Sequence, residues 1–134
     1  YLAKAPPLKV PADLAGHQHL GFKFPATDRR FVPTLQRGEE RYVLDLPPTM
    51  YFNNGTATAA AAVAGLGVAF IPTAEAVAHF SSGALVEVLA DWTMPSMPMS
   101  IVYPYTRHLS ARVRVFTDWV AALMADDPLW ALPY

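Results

Sequence analysis

Between Met50 and Pro72 the order of residue types leaves little choice of local structure. Met50-Tyr51-Phe52 reads as a short strand, and Asn53-Asn54-Gly55-Thr56 carries the cap and turn chemistry that opens a helix. Ala57 to Ala64 is helical by composition, because alanine has the best intrinsic helix propensity. Gly65 can take the left-handed conformation that closes a helix. Leu66 to Ile71 is then an apolar run suited to a strand covered on both faces, and Pro72 opens a further helix through about Phe80. Strand, helix, strand, helix in about thirty residues predicts an α/β fold with a mixed sheet flanked by helices.

The flanking segments extend this pattern. Pro11 to Gly16 reads as one helical turn with proline at its start and glycine at its end. Leu20, Phe22 and Phe24 alternate with Gly21 and Lys23, the period of a half-buried strand. Phe31 to Gln36 and Arg41 to Leu46 predict a hairpin across Arg37-Gly38-Glu39-Glu40. Leu85 to Leu89 and Met99 to Tyr103 are two more strand candidates. Ser110 is the expected N-cap of a closing helix in which Val113, Phe116, Val120 and Leu123 recur at helical spacing.

Composition removes several function classes. The 134 residues are 53% apolar and 16% charged, which is a folding composition and not that of a disordered chain. There is no cysteine, hence no disulfide, thiol nucleophile or thiolate metal site, as suits a cytoplasmic protein. A formal charge of -1 lacks the electrostatic footprint of a nucleic-acid-binding module. The uncharged stretch from Leu46 to Ala74 contains Pro47, Pro48, Asn53, Asn54 and Gly55, and its apolar part is largely alanine, whereas a membrane span needs about 20 strongly apolar residues. With no initiator Met at Tyr1, the chain reads as a piece of a longer protein.

No catalytic constellation emerges. No G-x-S-x-G surrounds a serine. Gly65-x-Gly67 would need a third glycine where Phe70 stands, so it is not a dinucleotide loop. His17-x-His19 could place two imidazoles on one strand face, with Asp28, His79 or His108 as a third zinc ligand, although no second motif organises them. No cofactor or resident metal is expected. What stands out is Asn53-Asn54-Gly55-Thr56, where the free N–H groups of a helix start suit an anion or polar ligand, beside the plainer reading of ordinary N-capping.

The run Ala64-Gly65-Leu66-Gly67-Val68-Ala69-Phe70-Ile71-Pro72 resembles the core motif of the effector-sensing domain of LysR-type transcriptional regulators. Tyr1-Leu2-Ala3, Pro11 to His17, Phe22-Lys23-Phe24-Pro25, Gly83 to Leu89, Asp91-Trp92, Tyr103-Pro104, Arg107 to Ser110 and Val113 to Trp119 continue the match in order. The resemblance implies a type 2 periplasmic-binding-protein-like fold. Residues 1–104 would be its second lobe, and 105–134 a return helix and tail that complete a first lobe. It further implies a non-enzymatic, cytoplasmic sensor that binds a small organic or anionic effector between lobes. The site residues carried over are Phe24, Pro25 and Thr27 in the loop after the first strand, with Asn53, Asn54 and Thr56 at the helix start. DNA would be contacted only through a helix-turn-helix domain outside these residues. Self-association is expected, because the closing helix needs a sheet to pack on and in that family much of the sheet belongs to the first lobe. Two rivals are an exported solute-binding lobe and a small α/β metal enzyme built on His17, His19 and Asp28.

The charge argument has a direct check: a gel shift of these 134 residues with duplex DNA at about 0.1 M salt is expected to show no submicromolar, salt-sensitive retention.

Overall fold

The computed structural model describes residues 1–96, 100–104 and 110–127. A 3-10 turn, Pro11–Gly16, precedes β1 (His19–Phe22), β2 (Thr34–Arg37), β3 (Glu40–Val43), β4 (Met50–Phe52), α1 (Gly55–Val63), β5 (Val68–Ala69), α2 (Thr73–Ser81) and α3 (Ala111–Asp126). β1 is the middle of a three-stranded sheet ordered β4-β1-β5, and both of its neighbours run parallel to it. β2 and β3 form a separate antiparallel pair. Parallel and antiparallel pairing are therefore both present, divided between two sheets. α1 packs on β1, β4 and β5, and α2 packs on α1.

β1 departs from the expected alternation. His19, Leu20 and Gly21 are all buried, so the strand is covered on both faces, as a central parallel strand must be. It ends at Phe22, and Phe24 already belongs to the loop beyond. The 3-10 turn anchors this region through Leu14, which is buried with Leu35, Leu44 and Val68 in the main core. Asp13 caps that turn by accepting from the N–H groups of Lys9 (2.8 Å) and Val10 (3.0 Å), and these bonds hold its carboxyl below the usual carboxylate range.

The glycine motif has a geometric reason. Gly65 (φ +77°) ends α1: its N–H bonds Ala62 O at 2.9 Å, and the Leu66 N–H bonds Ala61 O at 3.1 Å, which satisfies two terminal carbonyls. Gly67 (φ +151°) lets β5 approach β1 so closely that a Cβ would stand 2.3 Å from Gln18 O, the same oxygen that accepts the Val68 N–H at 2.8 Å. No other residue fits there.

Neither later strand candidate forms a ladder among the described residues. Residues 85–89 carry no ladder; Leu89 has φ +57° and packs with Val88 against the core, while Val86 is exposed. The chain instead turns back to the hairpin, where Thr93 and Gln36 exchange backbone hydrogen bonds at 2.8 and 2.9 Å. Met99 lies outside the described residues, and Ile101, Val102 and Tyr103 are exposed without a partner strand among the described residues. A strand exists only where another strand takes its hydrogen bonds. Likewise α3 forms as expected, with Ser110 Oγ accepting from the Val113 N–H at 3.4 Å, but none of its residues is buried. Val113 and Val120 are half-buried, while Phe116, Trp119 and Leu123 are more than half exposed.

His19 offers a test of this packing. Its ring meets Phe70 edge-on at 5.9 Å, its Nδ1 has no hydrogen-bond partner among the described residues, and burial lowers its pKa. The unfolded chain therefore binds a proton more readily than the folded one, and stability is lost as pH falls below about 6.5. Thermal midpoints measured from about pH 7 down to pH 5 should decline, and His19→Leu should flatten that slope.

Candidate functional site

The parallel register between β1 and β4 brings the two expected site segments together. Phe22 pairs with Phe52, and the Lys23 N–H donates to Phe52 O at 2.8 Å, so Lys23 and Asn53 leave the sheet side by side at its C-terminal edge. On the β1 side the chain closes a tight loop. The Phe24 N–H bonds Arg29 O at 2.9 Å, Phe24 O accepts from the Asp28 and Thr27 N–H groups at 2.9 and 3.2 Å, and the Phe31 N–H bonds Phe22 O at 2.7 Å. The Phe24 ring lies edge-on to Phe22 and Phe31 at 5.7 and 6.2 Å, which fixes the loop root and leaves Pro25 and Thr27 exposed at its tip.

On the β4 side, Asn54 is the N-cap of α1. Its Oδ1 accepts from the Ala57 N–H at 2.9 Å, while its carbonyl takes the Thr58 N–H at 3.1 Å and the Thr58 hydroxyl at 2.9 Å. The N–H groups of Gly55 and Thr56 have no protein acceptor among the described residues, as the first turn of a helix dictates. Asn53, Asn54 and Thr56 are all exposed. Asn54 thus has the plain capping role, and Asn53 and Thr56 are the free polar groups.

Residue types alone missed three neighbours. Lys23 Nζ sits 2.9 and 3.2 Å from the two Asp28 carboxylate oxygens and 5.2 Å from the Tyr51 ring centroid. Asp28 holds φ +51°, a conformation uncommon outside glycine. Glu75, from the first turn of α2, lies across Gly55: a Cβ there would stand 2.6 Å from its Oε2. Only the strand register and the α1–α2 packing bring these groups to the edge. The alternation of Lys23 with Phe22 and Phe24 was the one available signal.

The metal-enzyme triad does not assemble. His17 Nδ1 is hydrogen-bonded to the Tyr1 hydroxyl at 3.1 Å before β1, His19 opens β1, and Asp28 lies in the loop past its far end. Among the described residues no group of three or more His, Cys, Asp or Glu could hold a metal ion; His108 lies outside them. A cavity of about 690 Å³ lies elsewhere. It is lined by apolar side chains including Phe70, Ile71, Val88 and Trp92, and by none of the six expected site residues. Among the described residues no helix is long and apolar enough to cross a membrane.

A family model described as the LysR substrate-binding domain matches residues 1–125. The chain belongs to this family. A transcriptional repressor of the HTH type from Pseudomonas aeruginosa strain UCBPP-PA14 is 37% identical over 131 residues, covering 96% of this chain and 40% of that protein. The HTH-type regulator PtxR of Pseudomonas aeruginosa PAO1 is 28% identical over 128 residues, covering 96% and 40%. The chain thus spans about two fifths of these relatives. Among solved structures, the regulatory domain of a variant AphB from Vibrio vulnificus superposes with TM-score 0.71 at 25% identity, covering 91% of this chain and 60% of that one. Full-length AphB of Vibrio cholerae gives 0.70 at 23% identity, covering 91% and 41%. The fold is therefore that of a LysR regulatory domain, the type 2 periplasmic-binding-protein-like architecture.

Proposed function

We propose that these residues are the second lobe (1–104) of the effector-sensing domain of a LysR-type transcriptional regulator. Residues 105–134 would be the return helix and tail that complete the first lobe. The protein senses a small organic effector in the cytoplasm and catalyses nothing. DNA is contacted through a helix-turn-helix domain outside these residues, the kind that the relatives' names carry.

One observation carries the reading. In the β1–β4 register, the chain leading into Phe24, Pro25 and Thr27 and the chain leading into Asn53, Asn54 and Thr56 leave side by side at the carboxyl edge of a parallel sheet, where open α/β sheets bind ligands. The edge combines exposed aromatic surface with polar groups not consumed by the fold, as a small organic ligand requires. Thermal-shift screening with small carboxylates and hydroxylated organic compounds tests the site. An open edge predicts dissociation constants no tighter than about 1 mM, near -4 kcal/mol. Asn53→Ala with Thr56→Ala should abolish the shifts, and hits unaffected by both place the site elsewhere. Asn54→Ala is unsuitable for this purpose because losing the cap alone costs about 1 kcal/mol.

The exposed face of α3 supports self-association. Phe116, Trp119 and Leu123 are each more than half exposed, and burying one such side chain is worth roughly 1.5–3 kcal/mol. Sedimentation across a dilution series, paired with circular dichroism, should show dimer dissociation coupled to loss of helical signal. A monomer with its full helical signal at the lowest concentration would contradict it.

A further inference from the structure

Lys23 is one residue before the Phe24 loop and beside Asn53, and its surroundings give it a defined pose. Gly21, two residues earlier on the same face of β1, has no side chain, and a Cβ there would stand 2.4 Å from Pro48 Cγ and 3.1 Å from Tyr51 Cδ1. The missing side chain lets the Tyr51 ring lie along β1. Lys23 then carries its ammonium over that ring, 5.2 Å from the centroid, a distance at which the ring face attracts a cation. The aromatic platform leaves part of the ammonium open, and the chain's own Asp28 takes that place with both carboxylate oxygens, at 2.9 and 3.2 Å.

We propose that Lys23 is the charge-recognising residue of the site and that Asp28 is an exchangeable internal counter-ion, displaced by the carboxylate of a small effector whose flat apolar body lies on Tyr51. This rests on the site reading above and adds the chemical class of the ligand. Three observations carry it. The pair already shows the ammonium holding a carboxylate in this pose. Asp28 is a loose occupant: its side chain is 83% exposed, and an exposed ion pair of this kind contributes little. Lys23 is the cation that leaves the sheet beside Phe52 and Asn53, whereas Arg30 is paired with Asp45. A ligand carboxylate gains at Lys23 what Asp28 gives up, and its apolar body covers Tyr51, which is 44% exposed.

The test is an NMR titration of the 134-residue chain with sodium benzoate and with benzamide, its neutral isostere. Benzoate should give saturable amide shifts at Lys23, Asp28 and Tyr51, with benzamide at least about tenfold weaker. Lys23→Met, which keeps the apolar stem, should weaken benzoate about tenfold, and Lys23→Arg should restore it. Asp28→Asn should tighten benzoate about threefold by removing the competitor. Arg29→Gln, another cation on the loop, should stay within about twofold. Equal binding of benzoate and benzamide, benzoate unmoved by Lys23→Met, equal loss in Arg29→Gln, or no saturation of the wild-type chain by about 10 mM would each overturn the proposal. The two readings fail separately. Shifts confined to Asn53–Thr56 and independent of Lys23 refute the counter-ion exchange alone. Benzoate binding lost in Lys23→Met but untouched by Asn53→Ala and Thr56→Ala refutes the helix-start site alone.

Discussion

The three-stranded sheet and the candidate site at its edge depend on β1 being hydrogen-bonded on both sides. Its four residues are met by β4 on one edge and β5 on the other, both parallel. Parallel neighbours demand crossovers, and the crossover between β4 and β5 is α1, a nine-residue helix short and alanine-rich enough to lie across all three strands. The pairing is possible only because Gly67 has no Cβ where the chain enters β5 against Gln18. A side chain there would push β5 off β1, and with it Val68, which joins this sheet to the core of Leu14, Leu35 and Leu44.

The same pairing makes the candidate site. In a parallel sheet all strands finish at the same edge, so the segments that leave β1 and β4 emerge together although about thirty residues separate them in sequence. On one side the chain turns back through a loop tied by its own backbone bonds; on the other it enters α1 through a capped first turn. The edge therefore gathers aromatic surface, uncommitted polar groups, one ammonium and two carboxylates within a small area. The chain's membership of the LysR substrate-binding family and its superposition on AphB regulatory domains concern the fold that carries this edge.

α3 shows the opposite situation. It has a capping serine, regular helical bonding and an apolar face, yet none of its residues is buried. Helix formation is satisfied locally, by Ser110 and the i to i+4 ladder; burial is not, because it needs a second surface. The matched AphB regulatory domain is substantially longer than this chain, which covers 60% of it.

Local elements were legible in the sequence because each is decided by neighbouring residues. Pro11 and Gly16 bound the 3-10 turn, Gly38 sits in the hairpin turn, Asn54 caps α1, Gly65 ends it, and Ser110 starts α3, all within a few bonds of the groups they satisfy. Asn53, Asn54 and Thr56 were proposed from helix-start chemistry, and Phe24, Pro25 and Thr27 from the ordered family resemblance. What a side chain meets across space was not legible there. Leu85 to Leu89 have strand-like composition but find no partner strand among the described residues, so tertiary structure denies them a ladder and folds Thr93 back onto Gln36. His19 reads as a polar residue at a strand entrance, and the sheet buries it against Phe70. Lys23 reads as the wet side of an alternating strand; the register with β4 sets it over Tyr51 and beside Asn53. Sequence by itself determined where helices and turns begin and end, because those are short-range hydrogen-bond problems. Only the tertiary structure decided which strands pair, and therefore which charges share an edge, because register is settled by contacts between distant segments.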